Sequence, residues 1–255
     1  MGLYAVTGSG SGIGAATTEV LKSLGHDVIG VDLHGADINA DLSSADGRNS
    51  AIEQLKAACG ERGLDGLVTS AGVGPDADPV TLLPGVNYFG TVEMVEALLP
   101  HLSRVKGAVV CISSNSAIWD SDPAYLDALE RGDFEAATVI AENIEGQNLY
   151  QGSKKAVARW MRRKSSEMAA AGVRINAVAP GFIHTNMTKG MLEEGAYKDA
   201  IAQFLESIPV GRGGRPEDIA QSIVFLLDND KAAFIVGSVL FIDGGHDAVF
   251  RPELF

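Results

Sequence analysis

The chain has 255 residues, 46% of them hydrophobic, and a formal net charge of −13. That length suits one α/β domain with a full core, and the apolar content excludes a disordered chain. The negative charge argues against nucleic acid, anionic membrane surfaces and acidic protein partners.

The first apolar strand pattern covers 3–7 and runs into Thr7-Gly8-Ser9-Gly10-Ser11-Gly12-Ile13-Gly14, with a helical pattern at 12–24 directly behind it. Strand, glycine turn and helix in that order form the context of a dinucleotide fingerprint. The glycines let the backbone turn tightly and a pyrophosphate approach, and the helix N-terminus supplies N–H donors. The second strand, 27–32, ends on Asp32. An acid there can accept from the adenosine ribose hydroxyls and repels a 2′-phosphate. No Arg or Lys lies in the glycine turn to offset that repulsion. NAD is therefore expected over NADP.

Helical periodicity follows at 44–59, 86–103, 149–171 and 216–228, alternating with strand patterns at 65–69, 107–113, 173–179 and 235–242. This rhythm predicts an α/β fold: a single doubly wound, Rossmann-type parallel sheet with helices on both faces, in one domain spanning 1–255. Two segments break it. Residues 115–148 form an insertion holding two helical pieces, one opening at Asp122-Pro123 and one near Asp133, whose Phe134, Ala137, Ala141 and Ile144 share a face. Residues 181–208, rich in Phe, Ile, Met and Leu, form a substrate loop, read as a lid or pocket wall or else as a plain packed surface helix.

Cys111 sits in the apolar run Ala108–Ile112, and with Cys59 as the one other cysteine a reducing compartment fits better than a disulfide framework. The five histidines (26, 34, 101, 184 and 246) lack metal-ligand spacing, so no metal site is expected. No basic leader precedes the first strand, the myristoylation pattern fails at Val6, and no apolar run approaches membrane-span length. A cytoplasmic location is expected.

Tyr150 and Lys154 stand four apart at the head of the 149–171 helix, on one face. An ammonium beside a phenol favours the phenolate, so the tyrosine can exchange a proton with a substrate oxygen. With the glycine turn, Asp32, Tyr150 and Lys154 together, the chain resembles the short-chain dehydrogenase/reductase family over its whole length. The resemblance assigns Asn87 of Val86-Asn87-Tyr88-Phe89-Gly90 to a water-holding proton relay and Ser114 of Ile112-Ser113-Ser114 to the catalytic serine. It assigns Asp41-Leu42 to the adenine and Ser70-Ala71-Gly72 to the cofactor wall, with Ser70 departing from the usual Asn. It gives Pro180-Gly181 and Thr185 to the segment that holds the nicotinamide amide, and matches Asp243-Gly244-Gly245 to the closing turn. The expected catalytic residues are thus Asn87, Ser114, Tyr150 and Lys154. The expected cofactor surface is Gly8, Ser11, Gly12, Ile13, Asp32, Leu33, Asp41, Leu42, Ser70, Ala71, Gly72, Tyr150, Lys154, Pro180, Gly181, Ile183 and Thr185.

The long gap between Ser114 and Tyr150, the run Gly12–Thr17, and the ending Asp243–Val249 with Arg251-Pro252 resemble the bacterial 3α-hydroxysteroid dehydrogenase/carbonyl reductase branch of that family. That resemblance implies a secondary alcohol or ketone on a hydrophobic small molecule. Trp119, Phe182, Met187, Met191, Leu192 and Phe204 are the expected apolar cleft, with another cyclic, terpene, aromatic or amino alcohol as the rival substrate. A non-catalytic NAD-binding regulator is the rival from a different class, and the intact Ser, Tyr and Lys set argues against it. The insertion is expected to cover the helix surface by which many relatives assemble. That leaves a homodimer built through 216–228 and 235–242, which a tetramer in light scattering would contradict.

Overall fold

The computed structural model describes residues 1–193 and 203–254, the side chains of 190–193 excepted. Seven parallel strands form one sheet in the order β3-β2-β1-β4-β5-β6-β7. They are β1 Leu3–Thr7, β2 Asp27–Asp32, β3 Ile38–Asn39, β4 Gly66–Thr69, β5 Ala108–Ile112, β6 Arg174–Pro180 and β7 Val239–Ile242. The central β5 and β6 are buried along their whole length, as expected for strands covered on both faces.

Alternate residues of β1 feed two apolar layers. Leu3 and Ala5 join one core with α2 (Ala45–Cys59), α3 (Gly90–Val105) and α6 (Gly146–Ala170), while Val6 joins the other with α1 (Gly12–Ser23) and α8 (Pro216–Leu227). The strand order reverses between β1 and β4, so the loops after those strands diverge and open a crevice at the carboxyl edge of the sheet. Among the described residues no helix is long and apolar enough to cross a membrane.

The insertion folds as its punctuation predicts. Asp122 accepts from Tyr125 N at the start of α4 (Pro123–Glu130), and Asp133 accepts from Ala136 N at the start of α5 (Phe134–Ala141). Ala137 and Ala141 are fully buried, and Phe134 and Ile144 pack against the same core. The segment lies along α6: Glu130 pairs with Arg159 and Arg163, and the ring of Tyr125 fills the space beside Gly152, where a Cβ would come within 3.0 Å of it. Buried Arg48 of α2 ties three parts together. It pairs with Glu93 of α3, donates to the carbonyls of Leu42 and Ser43, and lies over the Phe134 ring of the insertion.

Beyond shifts of one or two residues, four features depart from the sequence pattern. β3 is a two-residue strand that the pattern does not show. The last strand starts at Val239 rather than 235, because Gly237 takes a positive φ of 71° and the Asn176 side chain bonds Ile235 O and Ser238 N instead. The helix expected from 86 opens as a π turn, Pro84–Phe89, before α3. The helix expected from 149 already begins at Gly146. Phe225 of α8, Phe234 of the connection after it and Leu240 of β7 are exposed, Phe234 completely.

Candidate active site

One cavity of about 590 Å³ lies in the crevice. All seventeen expected cofactor residues line it, from Gly8 to Thr185, together with Ser114. Each is carried there by the carboxyl end of a strand or by the helix behind it.

At the adenosine end, β2 delivers Asp32. Its carboxylate accepts from Gly10 N at 2.8 Å and Leu33 N at 2.7 Å, which holds the glycine turn against the second strand and leaves lone pairs for a sugar hydroxyl. Asp41 accepts from Ser43 N at 2.9 Å, fixing the loop that carries Leu42. In the middle, α1 begins with Ser11 at its N-cap, without a side-chain cap bond and without an acid in the first turn. Ser11, Gly12 and Ile13 face the cavity, so those N–H groups and the helix dipole are available to an anion. The glycines are required sterically. A Cβ on Gly8 would sit 2.8 Å from the Ala71 backbone, and one on Gly14 would sit 2.0 Å from the Gly8 carbonyl oxygen. The cradle therefore fits a dinucleotide: anion donors at the centre, an acid at one end and a proton donor at the other.

That donor end is built by β5 and α6. Ser113 Oγ donates to the Lys154 carbonyl at 2.9 Å, and Lys154 Nζ donates to the Ile112 carbonyl at 3.1 Å, so the helix is pinned to the strand that presents Ser114. Lys154 is buried, and its Nζ stands 5.8 Å from the centre of the Tyr150 ring. Burial pushes the lysine down to about 8. The Tyr150 phenol is raised by burial, against which a hydrogen bond with Ser114 works downward. This departs from the expectation that Lys154 depresses the phenol: in the protein alone desolvation dominates, and Ser114 is the residue that opposes it. Nearby Cys111, fully buried, is pushed up to about 12 and stays a thiol.

Asn87 is buried beside this end without lining the cavity. Its amide is committed to the loop after β4, accepting from Val73 N at 2.8 Å and donating to Val73 O at 3.1 Å and Ser153 Oγ at 3.4 Å. The amide oxygen accepts this one bond and keeps a second lone pair.

Of the six residues expected in the apolar cleft, Met187 of α7 (Asn186–Glu193) lines the cavity. Trp119, Phe182 and Phe204 do not. Trp119 packs on Phe250 at the carboxyl end of α9 (His246–Phe250), Phe250 on His246, His246 on Phe204, and Phe204 on Phe182. These aromatics prefer edge contacts with one another, so they join the insertion, the C-terminal helix and the substrate loop rather than facing the crevice. The Met191 and Leu192 side chains fall outside the described set. Thr188, which the sequence reading passed over, donates to Ile183 O at 2.6 Å and accepts from Thr185 N at 3.0 Å, shaping the turn that brings Ile183 and Thr185 to the cavity. Its only signal is a threonine three residues after Thr185 at a helix start.

A sheet that cradles a dinucleotide at its switch point and sets a phenol and an ammonium over the same trough has the layout of a nicotinamide-dependent oxidoreductase. The chain belongs to the short-chain dehydrogenase/reductase family. Residues 3–125 match the family model for short chain dehydrogenase, and residues 135–247 match the model described as enoyl-(acyl carrier protein) reductase. The 3-alpha-hydroxysteroid dehydrogenase/carbonyl reductase of Comamonas testosteroni is 39% identical, with all of both chains covered. The crystal structure of the 3-alpha-hydroxysteroid dehydrogenase from Pseudomonas sp. B-0831, complexed with NADH, superposes with a TM-score of 0.92 at 41% identity, covering 99% of this chain and 100% of that one. The cis-4-hydroxycyclohexanecarboxylate dehydrogenase of Sinomonas cyclohexanicum is 30% identical, with 96% of each chain covered.

Proposed function

We propose that this enzyme uses NAD(H) to interconvert a secondary alcohol and a ketone on a hydrophobic ring substrate, a 3α-hydroxysteroid and its 3-ketone first, with broader carbonyl reduction. The observation that carries the reading is that the dinucleotide cradle and the Ser114–Tyr150–Lys154 set share a single cavity. The relatives support the substrate class, since two of them are named for a 3α-hydroxysteroid and a third for a cyclohexanol acid.

Bound NAD(H) supplies the hydride chemistry. In ketone reduction Tyr150 Oη gives its proton to the carbonyl oxygen, and Ser114 donates a hydrogen bond to the same oxygen as negative charge develops there. In alcohol oxidation Tyr150 takes that proton back. Lys154 holds the nicotinamide ribose, and Asn87 holds the water that links Lys154 to solvent. Asp32 receives the adenosine ribose, Asp41 the adenine amine, and the N-terminus of α1 the pyrophosphate. A homodimer through the exposed face of α8 and β7 fits the apolar residues found there.

The test is NADH formation with androsterone beside cyclohexanol, with NADP⁺ as control. Fast turnover of the steroid with NAD⁺ is expected. Activity on small alcohols alone would keep the chemistry and discard the steroid.

Lys154 carries a pH dependence of its own. Burial lowers it from 10.5 to about 8, so the free enzyme loses this charge as pH rises through about 8. If the ribose hydroxyls prefer the ammonium, NADH binding holds the proton on, and affinity falls with rising pH above that point. Fluorescence titration of NADH between about pH 7 and about pH 10 should show this fall, and Lys154→Met should flatten it. A fall that persists in the methionine variant would remove Lys154 from the ribose.

A further inference from the structure

Ser114 has a neighbour that neither the family motif nor the cavity lining brings out. The short 3₁₀ turn Asn115–Ile118 starts on Ser114, and its second residue, half-buried Ser116, reaches back twice. Ser116 N donates to Ser114 Oγ at 3.1 Å, and Ser116 Oγ donates to the same atom at 2.9 Å. A serine hydroxyl has two lone pairs and one hydrogen. Two donors on Ser114 Oγ occupy both lone pairs, which leaves its hydrogen as the one function with which it can meet Tyr150 or a substrate oxygen.

We propose that Ser116 is a positioning residue that commits Ser114 to the donor role toward the substrate oxygen. The backbone N–H at 116 comes with any residue except proline, so the hydroxyl is the specific part. Without it, one lone pair of Ser114 is open, and Ser114 can instead accept from the Tyr150 hydroxyl or from water, turning its hydrogen away from the reacting carbonyl. With it, the chain Ser116 → Ser114 → substrate oxygen runs in one direction, and each bond polarises the next. Ser116 touches neither substrate nor cofactor in this scheme and gains no proton at any step. Its effect falls on the developing alkoxide, where the value of a donor is greatest. Before the substrate takes that hydrogen bond, the same ordering acts on Tyr150, because a Ser114 held as donor stabilises the phenolate that alcohol oxidation requires.

This rests on the roles proposed above for Ser114 and Tyr150, and the experiment separates the two. Ser116→Ala, Ser116→Thr and Ser114→Ala would be compared for kcat and KM in both directions, for NADH binding, and for the pH at which alcohol oxidation reaches half its maximal rate. Ser116→Ala is expected to lower kcat roughly tenfold, the effect of losing about one hydrogen bond. KM and NADH affinity should stay near those of the parent, and the oxidation profile should shift to higher pH. Ser116→Thr, which keeps a hydroxyl, should recover most of the rate and the original profile. A normal kcat in Ser116→Ala with Ser114→Ala inactive would overturn the role of Ser116 alone. So would a defect confined to KM or NADH binding, or one that threonine fails to repair. Full activity in Ser114→Ala would instead overturn the reading of the site, and the Ser116 proposal with it.

Discussion

Tyr150→Phe is expected to stop turnover in both directions, with kcat lower by a factor on the order of 10²–10⁴, while NADH binding is nearly unchanged. The variant removes one atom, Oη. The ring, and with it the contact to the Lys154 ammonium, stays in place. The direction of the reaction matters to how the loss is read. Burial raises the Tyr150 phenol, so at neutral pH it carries the proton that ketone reduction consumes. Alcohol oxidation needs the phenolate. That form must be won against desolvation by Ser114 and by the positive ring of bound NAD⁺. The parent enzyme should therefore show reduction that falls off only at alkaline pH and oxidation that climbs with pH, two limbs of one titration. Both limbs should vanish in Tyr150→Phe. Steady-state assays across pH with a fluorescence titration of NADH would check this, and a phenylalanine variant that still turns over would refute the assignment of the proton donor.

The site was legible in the sequence wherever a residue's role is fixed by its place at the end of a strand. Asp32 closes β2, Ser114 follows β5, and Pro180 closes β6, so an ordered list of strand ends already defines one rim of the cavity. The insertion was legible for a similar local reason, because Asp122 and Asp133 cap their helices with their own side chains. What stayed hidden depends on contacts between distant segments. Nothing in Asp27–Asp32 announces the two-residue β3 beside it. The shortening of β7 is decided by the Asn176 amide, 59 residues from Ile235. Apolar composition suggested that Trp119, Phe182 and Phe204 face the crevice, whereas they pack on a chain of rings that includes His246 and Phe250. Ser113 and Ser116 carry no signal of their own in the sequence. Their value appears only when the Lys154 carbonyl and Ser114 Oγ are seen at the other end of their bonds.

Cofactor choice should turn on the Asp32 charge, and two substitutions separate its two duties. Asp32 Oδ2 holds Gly10 N at 2.8 Å, so Asp32→Ala loosens the glycine turn as well as removing a charge. Asp32→Asn removes the charge and keeps an oxygen for Gly10 N, giving up the acceptor for Leu33 N on the other side. A carboxylate about 5 Å from a phosphate costs roughly 3 kcal/mol per phosphate charge at an effective dielectric of about 20, and less where solvent screens it. Discrimination against NADP of at least roughly 10² follows for the parent enzyme. In Asp32→Asn that penalty should largely disappear, with NAD affected modestly through a weaker bond to the ribose hydroxyls. In Asp32→Ala discrimination should fall likewise, while KM for both cofactors rises because the turn is no longer held. Neither variant should come to prefer NADP, since no Arg or Lys in the glycine turn is placed to receive the 2′-phosphate. The check is kcat/KM for NAD⁺ and NADP⁺ in the three proteins at fixed ionic strength. A ratio that is the same in all three would mean that the sugar is read by some other group.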